Sequence, residues 1–491
     1  MGIKYLILML FLLILGYVAY SSYKRINNYQ DYNLAGKKTG LFALTATLVA
    51  AEFNTATLIG GASVAYAFGT VGVWYTSLIF IVVFLVYAFT VAKKYRKLNI
   101  STIPQFFDRR FSNEKFSEAI RVISTFITLF YTWLAPAAYL AGISVIGHVL
   151  LGVNPITFSV VIVTICLLLA ITGGLITAIG IDVVAFIMIL IGIPAIFFIG
   201  LDAAGGLSNL SQVYEPKLLS LKPVWDTEVN FPIALTWGLQ ITFLYIAAPW
   251  YGQRVFSAKN ENIAYKAMLF NTTFIVLLYG FVAVSTMLAK VAMPNLSEPE
   301  QALPLLVANY SHPIIQGLLL VTLLLVGIST VVAVWNSAVS IVVNDLLKRY
   351  FAKDKSEKYY INASRIGLVA IAVSTLIFGI IFVGNIQNSL LYLSIFTGMV
   401  AVPILTSLYW RRYNATAAIA SMFAGLIYCT IALANGFPTY FVSPIGAVIS
   451  LLFGIAVTLM TTTKEDMNRS HEFFMLINPE KNRDEGFQKS S

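Results

Sequence analysis

Apolar stretches of about 20 residues recur along the chain to about residue 461, separated by segments where Lys, Arg, Asp, Glu, Gly and Pro gather. Crossing the hydrocarbon core of a bilayer takes about 20 apolar helical residues. The pattern therefore predicts thirteen transmembrane helices, at 3–20, 41–67, 71–92, 119–148, 154–173, 180–200, 232–250, 268–289, 313–343, 362–384, 388–409, 415–434 and 440–461. They form one membrane domain over residues 1–461: a first helix at 3–20, core helices over 41–409 and extra helices over 415–461. The connections are short except 93–118, 201–231 and 290–312, and none could hold a separate domain. Residues 462–491 read as a polar cytoplasmic tail, expected to be flexible and too short for a catalytic module.

Composition supports the membrane reading. The chain is 58% hydrophobic and 11% charged, where a soluble protein carries roughly 25% charged residues. The net charge of +10 would raise nucleic acid as a partner in a soluble protein. Its placement gives a different account. With the N-terminus outside, all but four of the 32 Lys and Arg fall in cytoplasmic segments, the exceptions being Lys4, Lys217, Lys222 and Lys290. That is the positive-inside bias. It predicts a multi-pass plasma-membrane protein with its C-terminus in the cytoplasm, partnered by lipid and not by nucleic acid. The n-region of the first apolar run holds one lysine, Lys4; no small-x-small cleavage site precedes Ser21, and Lys24 and Arg25 follow the run. It reads as a retained helix and not a signal peptide.

The chemistry of the polar residues excludes several classes. Cys166 and Cys429 both sit inside apolar runs, and the three histidines are far apart in sequence, so neither a disulfide framework nor a zinc site is expected. There is no H-E-x-x-H, G-x-S-x-G or Walker loop. An enzyme is not expected, and there is no room for the nucleotide domain of an ATP-driven pump. The energy source must be a gradient.

Polar residues inside the spans locate a site, because an ionisable group at membrane depth is costly. Glu52 lies inside the second span in AAEFNTAT (Ala50–Thr57), followed by Gly60-Gly61. Clustered polar residues and glycine permit local unwinding where carbonyls line a cavity, and such oxygens suit a small hard cation. The alternative for Glu52 is a structural hydrogen bond that pins helix packing. Span 7 has a second weak point at Ala247-Ala248-Pro249, where proline removes a backbone donor. Five spans separate the two breaks, the pattern of an inverted-repeat transporter with a midplane site. Gly and Pro could equally be kinks in packed helices. In span 9, GISTVVAVWNS (Gly327–Ser337) sets Ser329 beside Thr330. Their hydroxyls could serve an ion or bond to their own helix carbonyls.

Five segments, in order, resemble the sodium/solute symporter family, whose members carry proline, sugars, pantothenate and sialic acid. TIPQFFDRRF (Thr102–Phe111) resembles its T-x-P-E-F-x-x-x-R-F, and GGLITAIGID (Gly173–Asp182) its G-G-x-x-A-x-x-x-x-D turn. Gln253-Arg254 with Ala258-Lys259, Ile328–Thr330 with Val339–Asp345, and LYWRR (Leu408–Arg412) match three further patterns. The resemblance implies an all-α, five-plus-five inverted-repeat fold and a sodium site made by the carbonyls of Ala50, Phe53 and Val326 and the hydroxyls of Ser329 and Thr330. It places solute near Thr55, Ala56, Tyr245, Ala248 and Pro249. Glu52 falls where the proline carriers have an aspartate important for sodium, and with Asp182 it is assigned to coupling and gating. Two departures stand out. Gly60–Tyr66 lacks the family's proline, and Val332 and Ala333 replace small and polar positions after Ser329.

The function expected is sodium-coupled import of a small organic solute, with an amino acid such as proline favoured and no cofactor beyond the co-transported sodium. Because Val332 and Ala333 offer no side-chain oxygen for a second ion, one sodium per solute is expected. Asp182 is then free to serve the cytoplasmic exit path or to pair with a basic loop residue. The alternatives are a proton-coupled carrier using Glu52 and a membrane sensor on a transporter scaffold, the latter disfavoured by the short tail.

Overall fold

The computed structural model describes residues 2–112, 114–382 and 386–478. Among these residues the architecture is helical, with no strand. Its spans are α1 (Gly2–Tyr23), the bent pair α2 (Leu41–Glu52) and α3 (Ala56–Phe68), α4 (Thr70–Lys97) and α5 (Ser117–Leu151). Then comes a 49-residue helix, Pro155–Ala203. At 1.5 Å per residue it would run about 74 Å, more than twice the hydrocarbon thickness. Gly174 resolves the excess: its φ of 53° and ψ of −131° interrupt the helix, giving α6 (155–173) and α7 (175–203). A Cβ at Gly174 would lie 2.4 Å from the Tyr32 carbonyl oxygen, so neither the backbone angle nor the space admits another residue.

The second half begins with another bent pair, α8 (Phe231–Ala247) and α9 (Pro249–Ser257). It continues through α10 (Glu261–Ala292), α11 (Pro313–Phe351), α12 (Glu357–Phe382) and α13 (Ile386–Tyr409). Two outer spans follow, α14 (Ala415–Ala434) and α15 (Thr439–Thr461). Ten helices are each long and apolar enough to cross a membrane, and the two bent pairs raise this to twelve. The break at Gly174 brings the total to thirteen, as the hydrophobic pattern predicts. The spans are longer than the apolar runs because their ends continue past the hydrocarbon into polar sequence: α11 reaches Phe351.

The tail departs from expectation. Residues Lys464–Ile477 form a helix, α16, opened by a capping box between Thr463 and Asp466. Its apolar residues Phe473, Phe474 and Ile477 are buried. Phe473 and Phe474 lie over the Arg110 guanidinium, 5.4 and 5.7 Å from ring centroid to carbon. The rest of the tail lies outside the described residues. Burial inside the protein is graded: α11 is 94% buried over its most apolar window, α1 only 17%. The interior of the molecule is thus α11 with the two broken helices against it, and α1 is a peripheral, lipid-facing span.

Candidate ion and solute site

The α2–α3 break is built by its own residues. Phe53 leaves helical geometry at φ −69° and ψ 85°, which turns its carbonyl off the helix axis. Asn54 then stitches the ends. Its Nδ2 donates to the Glu52 carbonyl at 2.7 Å, and its Oδ1 accepts from the Thr57 amide at 2.9 Å. One side chain so caps the end of one helix and the start of the next. The Tyr279 hydroxyl adds a second donor to the Glu52 carbonyl, at 2.8 Å, and its ring stacks on Phe53 at 4.6 Å. The two segments meet at 57°. The second break is simpler. Ala248 is extended at φ −70° and ψ 115°, and Pro249 starts α9 at the first helical position, where its missing N–H costs nothing.

Ser329 and Thr330 of α11 face the first break. The Ser329 hydroxyl lies 3.2 Å from the Ala50 carbonyl oxygen and 3.3 Å from that of Val326. The Thr330 hydroxyl lies 3.5 and 2.9 Å from the same two oxygens. Ala50, Val326, Ser329 and Thr330 are therefore brought together; Phe53 follows on the last turn of α2, its amide bonded to the Val49 carbonyl at 2.8 Å, and no hydrogen bond among the described residues joins its carbonyl to the other four. The Val326 contacts are also the local bonds a helical hydroxyl makes to its own backbone; the Ala50 contacts, from a different span, are not.

The residues expected to hold solute are divided. Thr55 donates to the Tyr139 carbonyl at 2.7 Å, and Ala56 is buried beside it. Tyr245 packs on Tyr251 at 4.6 Å, Phe84 at 5.1 Å and Trp250 at 6.0 Å. Among the described residues no hydrogen bond joins Thr55 or Ala56 to Tyr245, Ala248 or Pro249. What ties the two breaks is Tyr251, whose hydroxyl donates to the Leu48 carbonyl at 3.0 Å. Sequence reasoning missed Tyr251 and Tyr279, because an aromatic residue in an apolar helix carries no signal of where its hydroxyl ends.

Asp182 pairs with a residue of α9, not of a loop. Its Oδ2 accepts from Arg254 Nη2 at 2.8 Å, with both side chains wholly buried, and from the Thr47 hydroxyl. Arg254 also donates to the carbonyls of Thr47 and Trp250, each at 3.1 Å. The arginine of the Gln253-Arg254 motif thus joins α2, α7 and α9. At the Lys- and Arg-rich end, Arg121 bonds Asp345 at 2.7 Å and also pairs with Asp108. Arg110 donates to the carbonyls of Ser407 and Tyr413 at 3.1 and 2.7 Å. These contacts account for Asp108 and Arg110 of the TIPQFFDRRF segment and seat it against the carbonyls that flank LYWRR.

A sequence profile of the sodium:solute symporter family matches residues 32–425. The chain belongs to this family. Within it, the chain is 25% identical over 433 residues to a sodium/glucose cotransporter of Vibrio parahaemolyticus, covering 81% of this chain and 78% of that one. It is 24% identical over 482 residues to an osmoregulated proline transporter of Bacillus subtilis, covering 93% and 94%. The fold superposes on a sodium-coupled sialic acid symporter, solved substrate-bound and outward-open, with a TM-score of 0.81 at 17% identity, covering 94% of this chain and 98% of that one. The five-plus-five inverted-repeat fold follows, its halves being α2–α7 and α8–α13. A family of transporters agrees with a role other than catalysis.

Proposed function

We propose that the protein is a plasma-membrane symporter in which sodium entering the cell drives import of a small organic solute. The orientation proposed is N-terminus outside, because that choice puts nearly all Lys and Arg on the cytoplasmic side. The observation that carries the reading is the convergence of the Ser329 and Thr330 hydroxyls on the Ala50 carbonyl where α2 breaks. With the carbonyls of Phe53 and Val326 these make a set of five oxygens, which suits a dehydrated hard cation. A sodium ion there ties α2 to α11. It favours whichever conformation holds those helices at binding distance, which is all that coupling requires. Each charge that crosses gains about 2.3 kcal/mol per 100 mV. An amino acid such as proline is the first solute to test.

The Arg254 pairing of Asp182, together with apolar Val332 and Ala333, supports one sodium per solute. Sodium-dependent uptake in proteoliposomes tests the site. Ser329→Ala and Thr330→Ala should each raise the half-saturating sodium concentration, and unchanged sodium dependence in both would refute the assignment.

A second reading, proton coupling through Glu52, is favoured by one fact: its Oε2 is buried without a hydrogen-bond partner. Uptake driven by a pH gradient in sodium-free medium would establish it.

A further inference from the structure

We propose that a cavity between α1, the entry to α2 and the start of α7 holds an anionic phospholipid. Its phosphodiester sits among Ser22, Arg25 and Lys38, and its acyl chains run along α1 and α7. The site is separate from the two broken helices and independent of the symporter reading. Only its assignment to the cytoplasmic leaflet rests on the orientation proposed above.

The cavity measures about 700 Å³. α1 and α7 meet beside it at Gly180, where a Cβ would lie 2.7 Å from Val18 Cγ1. The polar end carries net positive charge. Arg25 and Lys38 line the cavity, and no Asp or Glu does. Residues 24–40 hold four cations, and two are already engaged: Lys24 lies 4.3 Å over the Tyr20 ring, and Lys37 donates to the Asn99 carbonyl at 3.2 Å. Arg25 and Lys38 are exposed and make no ion pair among the described residues; Arg25 reaches the Ser21 hydroxyl at 3.5 Å. The acid of this segment, Asp31, accepts from the Asn27 amide at 3.1 Å and is not in the cavity wall.

Ser22 separates a built site from an ordinary basic rim. It is 5% exposed and lines the cavity. Its hydroxyl has no hydrogen-bond partner among the described residues. A helical hydroxyl in lipid ordinarily bonds to the carbonyl four residues back, as Thr90 does to Val86 at 2.6 Å and Thr164 to Val160 at 2.8 Å. Ser22 makes no such bond, and a buried hydroxyl left free is costly unless something else completes it. Gly40, the N-cap of α2, lines the same cavity and offers the first-turn amides no side-chain acceptor. Amides so placed add to the attraction for an anion.

The remaining wall is apolar. Ile176, Ile179 and Val183 follow the three- and four-residue spacing of one helix face, which continues to the exposed Ile187 and Ile191. On α1 the exposed Tyr17 lines the cavity, and the exposed Leu13 and Leu10 extend its face toward the bilayer centre. Two free cations and a free hydroxyl at the head of two apolar tracks match a phosphate group that carries hydrocarbon chains. Inorganic phosphate would leave the tracks unmatched. A zwitterionic lipid would bring an ammonium group to a site with no carboxylate to receive it.

Native mass spectrometry of the full chain in detergent tests this, with phosphatidylglycerol, phosphatidylcholine of the same acyl chains and inorganic phosphate as probes. One tightly held phosphatidylglycerol per chain is expected, with phosphatidylcholine at least about tenfold weaker. Millimolar phosphate should leave the lipid in place. Arg25→Gln/Lys38→Gln alters two exposed side chains and should weaken phosphatidylglycerol at least about tenfold. Lys217→Gln/Lys222→Gln removes the same charge from the 201–231 connection and should change it less than about twofold. Ser22→Ala should weaken the lipid about fivefold without lowering the unfolding midpoint of lipid-free protein, because its hydroxyl bonds nothing within the chain. Equal binding of the two lipids, binding unmoved by Arg25→Gln/Lys38→Gln, or displacement of the lipid by phosphate would each overturn the proposal.

Discussion

Removing one partner of the Asp182–Arg254 pair gives a prediction whose size follows from the structure. At the observed 2.8 Å, and at an effective dielectric constant of about 20, the attraction is about 6 kcal/mol. Burying both ions costs a comparable amount, so the intact pair is worth little net, whereas deleting one partner strands the other and costs about 3–5 kcal/mol. The two deletions differ. In Asp182→Asn the stranded guanidinium keeps its bonds to the carbonyls of Thr47 and Trp250, which puts the loss near the low end, about 3 kcal/mol, or roughly 100-fold in the unfolding equilibrium. In Arg254→Met the stranded carboxylate keeps only the Thr47 hydroxyl, which puts the loss near about 5 kcal/mol. The double variant Asp182→Leu/Arg254→Met strands nothing and should return to within about 1–2 kcal/mol of wild type, because apolar replacement of a whole buried pair is often neutral. Unfolding in mixed detergent micelles, titrated with SDS and followed by tryptophan fluorescence, measures all three. Single variants with the wild-type midpoint, or a double variant as unstable as the sum of the singles, would show that the pair does not carry compensating charge.

Further expectations follow from the same geometry. Ser329→Ala and Thr330→Ala each remove one of five proposed oxygens, so the half-saturating sodium concentration should rise about tenfold in each, given about 1.4 kcal/mol per lost ligand contact; sodium titration of uptake decides. For a zwitterionic solute, the ratio of charge to solute moved should be one and the Hill coefficient for sodium near one, and a ratio of two in proteoliposomes would reveal a second ion. Burial pushes the Glu114 carboxyl up to about 7 from its ordinary 4.5, against the Ala415 amide and Arg110, which lower it. The folded protein thus holds a proton that the unfolded chain releases between those values, and its stability should fall as pH rises through that window. Glu114→Gln should flatten that slope when unfolding midpoints at about pH 5 and about pH 8 are compared. Gly174→Ala, with its Cβ 2.4 Å from the Tyr32 carbonyl, should lower the yield of folded protein in fluorescence-detected size-exclusion chromatography, and a normal yield would contradict the close packing of that turn.

The span pattern was legible in the sequence because lipid imposes one rule on every crossing segment, and about 20 apolar residues satisfy it whatever their neighbours are. Both broken helices were legible too. Polar residues with glycine in Ala50–Thr57 and proline at 249 weaken a helix locally, so the sites of unwinding are written in the residues that unwind. The adjacent hydroxyls of Ser329 and Thr330 were visible as a candidate, but that they meet Ala50 depends on how α11 crosses α2. The partner of Asp182 was not legible. Seventy-two positions separate it from Arg254, and the choice among the chain's arginines is made only when α7 and α9 are packed together. The partners of Tyr251 and Tyr279 were hidden for the same reason, since each hydroxyl bonds a carbonyl of another helix, Leu48 and Glu52, and leaves no local pattern. Nor did the composition of residues 464–477 show a helix: its polar surface reads as tail, and only the apolar seat around Arg110 gives Phe473, Phe474 and Ile477 a face to bury. Local rules of solvent, backbone and turn thus set which segments cross and where they break, whereas charge pairing and hydroxyl partnering between distant helices were decided by packing alone.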